Sequence, residues 1–249
     1  MYRCKEHLKE ENKLKKKGLF SVVLLLGLLV TLTACSRGID PEEAAPLFIH
    51  RYIYEEEKDT FNENFKQGEA LSKVFNEQKA TFKENFVEGL IGANKAVDQD
   101  AANEIYDQLD NQVKEVATYE IGKISTTKHL TNVVYDIKGL SIKDLLVATS
   151  QDLADAIKKN NKLAKNKQQL VETTVNILKQ EIPKTKQIAE PKHLSLQLKK
   201  EKGQWEVVSG QSEELKAIYL AFFTGTDSEA QFTQEVTTAL NDQPKQTKK

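Results

Sequence analysis

Sulfur is scarce in this chain: its 249 residues include two cysteines and one methionine. Cys4 lies near the start, Cys35 closes an apolar run, and no cysteine follows. The region beyond Cys35 therefore has no thiolate nucleophile, no disulfide and no thiolate metal site, and a fold there must rest on its core alone. Tryptophan is equally rare, with Trp205 the single example. The spacings GxSxG, GxGxxG, HExxH and the phosphate-cradling P-loop are also missing, which removes the common signatures of esterase, dinucleotide, zinc-peptidase and nucleotide chemistry. Finally, the uncharged run from Leu19 to Leu32 is shorter than the roughly 20 apolar residues that cross about 30 Å of hydrocarbon.

What is present begins with that run. Lys13, Lys15, Lys16 and Lys17 precede it, and it ends on Leu32-Thr33-Ala34-Cys35. A positive segment, an apolar segment and a small-residue end form an export signal, with the lysines holding its first end in the cytoplasm. The Leu-Thr-Ala-Cys ending resembles the lipobox of bacterial lipoproteins. The resemblance implies cleavage after Ala34, a diacylglyceryl group on the Cys35 thiol, and Cys35 as the mature N-terminus. Two long acyl chains meet the requirement for stable anchoring, which a single chain does not.

Loss of residues 1–34 removes seven basic side chains and three acidic ones, leaving 29 against 34 and a net charge of about −5. A polyphosphate partner such as nucleic acid needs a basic footprint, so nucleic acid is not expected. The expected localisation is the extracytoplasmic face of the cell membrane, and a disulfide-free lipoprotein fits a Gram-positive envelope.

Past a short tether over residues 35–40, Asp40-Pro41-Glu42-Glu43 has the form of a helix start. Ala45, Phe48, Ile49, Tyr52 and Ile53 follow at helical spacing, and Glu55 to Asp59 reads as a solvated face. Gly68 is expected to mark a break. A second helix carries Leu71, Phe75, Phe82, Phe86 and Leu90, and a third carries Val97, Ala101, Ile105, Leu109, Val113 and Val116. At Ala117 the period changes to two. Tyr119, Ile121 and Lys123 are assigned to one strand face, and Val133, Tyr135 and Ile137 to a face of the next strand.

A long helical register then extends from Ile142 to Ile182, with a break expected near Lys158-Lys159-Asn160-Asn161. Leu194, Leu196 and Leu198 alternate with polar residues, a turn follows at Lys200 to Gly203, and Trp205 and Val207 return. Trp205 reads as a core plug. Two shorter helices and a disordered tail over 241–249 close the chain. Ile124 to Thr131 and Ile188 to Ser195 echo one another faintly.

The expected class is α+β: N-terminal helices over 41–116, then a sheet domain over 117–240, with two strand pairs in one four-stranded antiparallel sheet and a long helix between them. The helices are expected on one sheet face. The stretch from Val113 to Val208 resembles an uncharacterised domain family of Gram-positive lipoproteins. Val133 to Leu140, Leu194 to Leu198, and Lys202-Gly203-Gln204-Trp205-Glu206-Val207 carry the likeness, and the last of these also resembles the strand ends of cystatin-like and NTF2-like sheets. The resemblance implies a fold and no activity.

Chemistry-bearing residues are dispersed. His50, His129 and His193 lack metal-ligand neighbours. His129 and His193 would meet only across adjacent strand pairs, with Glu190 completing a site. Asp136 and Asp144 are the acids considered as a pair. No catalytic residue, metal or cofactor is assigned. The expectation is a non-catalytic binding or scaffolding module. Its partner would be a peptide, an envelope polymer or a membrane protein, held in an apolar groove between sheet and helices. The alternative is an envelope hydrolase with a carboxylate pair. A two-lobed solute binder is disfavoured because its alternating βα pattern is missing.

Overall fold

The computed structural model describes residues 38–93 and 97–241. The expected export signal over 1–34, the cleavage point expected after Ala34 and the expected anchor Cys35 lie outside the described residues, as does the tail from 242. From Asp40 onward the chain forms one unit.

Helix α1 (Pro41–Ile49) opens as its sequence implies, with Pro41 in the first turn and Glu42 and Glu43 beside the positive end of the dipole. Asp40 occupies the capping position, but its side chain makes no cap bond. Its carbonyl instead accepts the amides of Glu43 and Ala44 at 3.0 and 2.9 Å. From His50 to Tyr54 the helix widens into a π turn, where the amides of Glu55 and Glu56 both reach the His50 carbonyl. The wider turn buries three successive side chains, Arg51, Tyr52 and Ile53. Glu55 and Glu57 then take left-handed backbone, φ 64° and 49°. Glu55 to Asp59 are all exposed, as expected for a solvated face, and they form a tight reversal into a further helix, α2 (Lys58–Asn64).

The break expected at Gly68 falls between α2 and α3, and Gly68 itself starts α3 (Gly68–Ala93). A Cβ on Gly68 would lie 2.7 Å from the Asn62 Cα, so glycine allows α2 and α3 to meet. Helix α4 (Gln99–Val116) is capped by Asp98, whose carboxylate accepts the Ala101 amide at 2.7 Å. Val97, assigned to that helix's stripe, precedes the helix and is buried with Val87, Ala102 and Val171 in a satellite core.

Strands β1 (Thr118–Thr127), β2 (Leu130–Lys138), β3 (Lys192–Glu201) and β4 (Gln204–Val207) form one sheet in that order, all neighbours antiparallel. Val133, Tyr135, Ile137, Leu196 and Leu198 share its inner face and are fully buried. The assignment of Lys123 to the face of Tyr119 and Ile121 needs correction. A bulge at Gly122 shifts the register, so Ile121 pairs with Tyr135 while Lys123 pairs with Val134 and Ile124 with Val133. One extra residue flips every side chain after it, and Ile124 takes the inner face. The octet echo also dissolves: Ile124 to Thr131 crosses the β1–β2 turn, whereas Ile188 to Ser195 leads into β3.

Between the strand pairs, the long helical register divides into α5 (Ile142–Lys159) and α6 (Lys167–Glu181), separated by a 3₁₀ turn at Leu163–Lys165. The break falls where the apolar pattern fades, and Asn166 restarts the helix by accepting the Gln169 amide at 3.1 Å. Helix α7 (Ser212–Thr224) packs on the inner sheet face, with Leu215 and Ile218 through Thr224 all buried. The second half of α7, from Ile218 onward, is buried on all sides, as suits a segment in the interior, and α7 is the central helix here. Helix α8 (Glu229–Asn241) contributes no buried residue.

Trp205 is 2% exposed, as expected for a plug. Its carbonyl accepts the Lys66 amide at 2.7 Å, so the segment after α2 covers the β4 edge and protects it from foreign pairing.

Candidate functional site

Most of the inner sheet face is covered by the protein's own side chains, and at the β4 edge Leu71 and Val74 of α3 and Val207 line a small open depression. Phe48, Tyr52, Phe61, Phe65 and Phe75 fill the space beside it, each no more than 1% exposed. Their rings meet at tilted, stacked and edge-on angles, with centroids 4.3 to 6.2 Å apart. Tyr52 Oη donates to the Leu215 carbonyl at 3.0 Å, and Tyr135 Oη to the Ala45 carbonyl at 3.1 Å, tying α7 and β2 to the N-terminal helices. Burial raises both hydroxyls far above the usual tyrosine range. Phe75 of α3 is therefore core, whereas Phe82 and Phe86 farther along the helix are half-buried, and the space expected for a groove is largely filled by the protein itself.

The histidines do not assemble. Antiparallel register places His193 opposite Asp136, with Nδ1 2.6 Å from the Asp136 carboxylate. His129 sits in the β1–β2 turn, next to Leu130, which pairs with Lys199 at the other end of β2. Six residues of strand separate those ends, about 20 Å at roughly 3.3 Å per residue. The strand pairs are adjacent, yet the two histidines lie at opposite ends of the sheet, so no site forms from them with Glu190. Among the described residues no group of three or more metal-capable side chains occurs. His50 contacts Glu57 at 2.6 Å. Asp144 accepts the Ser141 hydroxyl at 2.6 Å, so Asp136 and Asp144 each have a partner of their own.

Among the described residues, charged side chains are buried where the π turn meets α3. Arg51 is 7% exposed and Lys79 8%. The π turn holds Arg51 inward, and its Nε donates to Ser72 Oγ of α3 at 3.0 Å. Two helical turns farther along α3, Lys79 Nζ donates to the Ile53 carbonyl at 3.1 Å and to Glu55 Oε1 at 2.8 Å. The second Glu55 oxygen takes Lys114 of α4 at 3.0 Å, and Lys114 also pairs with Asp110 at 2.8 Å. Burial opposes the Glu55 charge, but the bonds and charges of Lys79 and Lys114 outweigh it and hold the carboxyl down to about 2. Lys79 is pushed down by burial, and Glu55 restores only part of that loss. The two directions agree physically: one carboxylate receives two cations, whereas the buried ammonium receives one carboxylate.

Arg51, Glu55, Lys58, Asn76 and Lys79 line an open depression of about 460 Å³. Lys58 enters from the first turn of α2, and Asn76 from the exposed side of α3. Three cations face one carboxylate whose oxygens are both engaged. None of these residues was assigned to a site from the sequence, where Glu55 and Lys58 read only as part of a solvated face, although a signal was there. Arg51 is one of three arginines in the chain and stands among Ile49, Tyr52 and Ile53.

The chain belongs to the family described as a domain of unknown function (DUF5105), which matches residues 34–223. That match ends within α7, leaving α8 outside it. The fold is similar to the crystal structure of a Bacillus subtilis protein (ycdA) assigned as a lipoprotein, with a TM-score of 0.51 and 15% identity. The similarity covers 78% of this chain and 58% of that one, so the chain spans less than two thirds of that protein's length. None of the curated proteins compared matches the chain.

Proposed function

We propose that the protein is a lipid-anchored module on the extracytoplasmic face of the cell membrane, in an envelope of the Gram-positive kind, and that it binds rather than catalyses. One observation carries the reading: Leu32-Thr33-Ala34-Cys35 closes a basic and apolar export signal just ahead of the first helix at Pro41. The family match begins at residue 34, beside the proposed cleavage point. Its structural neighbour's assignment as a lipoprotein agrees. Among the described residues no helix is long and apolar enough to cross a membrane, and attachment is assigned to lipid on Cys35.

The binding surface is the cationic depression, a substitute for the apolar groove that the core fills. Its partner is a peptide, an envelope polymer or a membrane protein. No observation favours a carboxylate-pair hydrolase. The carboxyls that depart from their ordinary range, Glu55, Asp155, Glu201 and Glu206, are all held below it by lysines, and a general acid needs the opposite shift. Cells fed an alkynyl fatty acid should label the wild-type protein and leave Cys35→Ala unlabelled. Equal labelling of both would overturn the anchoring.

A further inference from the structure

The depression at the π turn holds more positive charge than its own acids neutralise. Arg51 has five N–H donors in a planar fork, and its hydrogen bond in the structure is to Ser72 Oγ. Among the described residues no carboxylate lies within 4.0 Å of it. The two Glu55 oxygens are directed to Lys79 and Lys114 instead. A guanidinium this deeply buried without a carboxylate carries a desolvation cost that a folded protein ordinarily offsets with a counter-charge. Lys79 adds a second buried cation, and Lys58 adds a third at the rim. Against the single Glu55 the lining is doubly positive.

The backbone is shaped for the same purpose. The π turn puts Arg51 under the depression, and left-handed Glu55 and Glu57 turn the chain back so that Lys58 closes the rim. Both features are locally unfavourable and recur where a ligand is held.

We infer that this depression binds a phosphate group on a larger molecule, with the Arg51 fork and the Lys79 and Lys58 ammoniums as its donors. A carboxylate would be satisfied by the guanidinium fork alone and would leave both lysines in excess. A phosphate offers three or more oxygens and up to two negative charges, matching a fork and two point cations. At about 460 Å³ the space exceeds a bare phosphate and lies within the 300 to roughly 1,000 Å³ of small-ligand sites. Asn76 at its edge can bond a hydroxyl or amide of the attached group. The inference rests on the binding-module reading and gives that module its ligand chemistry.

The test is titration of the full-length protein in neutral detergent with inorganic phosphate, followed by the amide signals of residues 50–58 and 72–80 at constant ionic strength. Phosphate should shift these signals saturably, while acetate and chloride at matched strength should not. Arg51→Gln should weaken binding at least about tenfold, the scale of one hydrogen bond to a charged group. Lys58→Gln, on an exposed helix start, should weaken it a few-fold without touching the core, so the idea stays testable if the Arg51 variant misfolds.

Vesicles of phosphatidic acid, whose headgroup is a phosphate monoester, and of phosphatidylcholine separate the sources: displacement of phosphate by the former alone identifies a lipid headgroup, and no displacement identifies a water-borne phosphate compound. Shifts equally strong with acetate, or unchanged in both variants, would overturn the phosphate assignment. The anchoring reading is decided separately by lipid on Cys35, so the two can fail independently.

Discussion

Gly139 shows how a single residue sets the seating of the central helix. A Cβ built there would lie 1.7 Å from the Ala221 carbonyl oxygen. Just beyond it, the Leu140 amide bonds the Phe222 carbonyl at 2.9 Å, and the Gly139 carbonyl accepts the Ile188 amide at 2.8 Å. Because backbone faces backbone, no rotamer change relieves the clash. Gly139→Ala should therefore destabilise the fold by about 3 kcal/mol or more, the upper end for overpacking, read as a lowered urea midpoint. Glu55 gives a second test. Its carboxyl titrates near 2, against an ordinary 4.5, so its ionised form is the one the fold favours. That contribution is fully present above about pH 4.5 and fades as pH falls through 2. Wild type should exceed Glu55→Gln in stability at neutral pH, and the gap should close on acidification, measured by denaturant melts from pH 7 down to 2.

At the scale of elements, periodicity carried most of the information. The period-two stretches Tyr135 to Ile137 and Leu194 to Leu198 became strands because alternate side chains are buried against α7. The loss of apolar residues at Lys158 to Asn161 became the α5–α6 break, because nothing there could pay for continuing the helix. What periodicity could not show was backbone departure from a uniform repeat. The π turn at His50–Tyr54 adds a residue inside a pattern that still looks helical, and the bulge at Gly122 reverses one strand's faces midway.

Helix α7 was visible as a helix, but its central position was not, since that depends on the sheet it lies against. Its side chains from Ile218 to Thr224 are buried, while α8 buries none. Native-state hydrogen exchange should follow that difference, with α7 amides among the slowest and α8 amides opening locally well before global unfolding. Equal protection of the two helices would contradict this account of the core.

For the molecule as a whole, two kinds of function differ in how they are written. An address is local in sequence: basic residues, an apolar run and a small-residue end stand next to one another from Lys13 to Cys35, and they can be read without a fold. A binding surface is not local. Arg51, Lys58, Asn76 and Lys79 converge only because the π turn, the left-handed reversal and α3 bring them around one depression, and their spacing in the chain follows no motif. The same holds for His129 and His193, alike in their surroundings along the chain yet placed at opposite ends of the sheet by antiparallel register. The charge balance beyond Cys35 is acidic, while a small excess of cations gathers around one depression.

The central claim is that this domain is tethered outside the cytoplasm through one modified thiol. It is tested most directly by mass spectrometry of the mature N-terminal peptide from isolated membranes. The account predicts a peptide that begins at Cys35 and carries a diacylglyceryl thioether. An N-terminus elsewhere, or an unmodified Cys35 in membrane-bound protein, would contradict it.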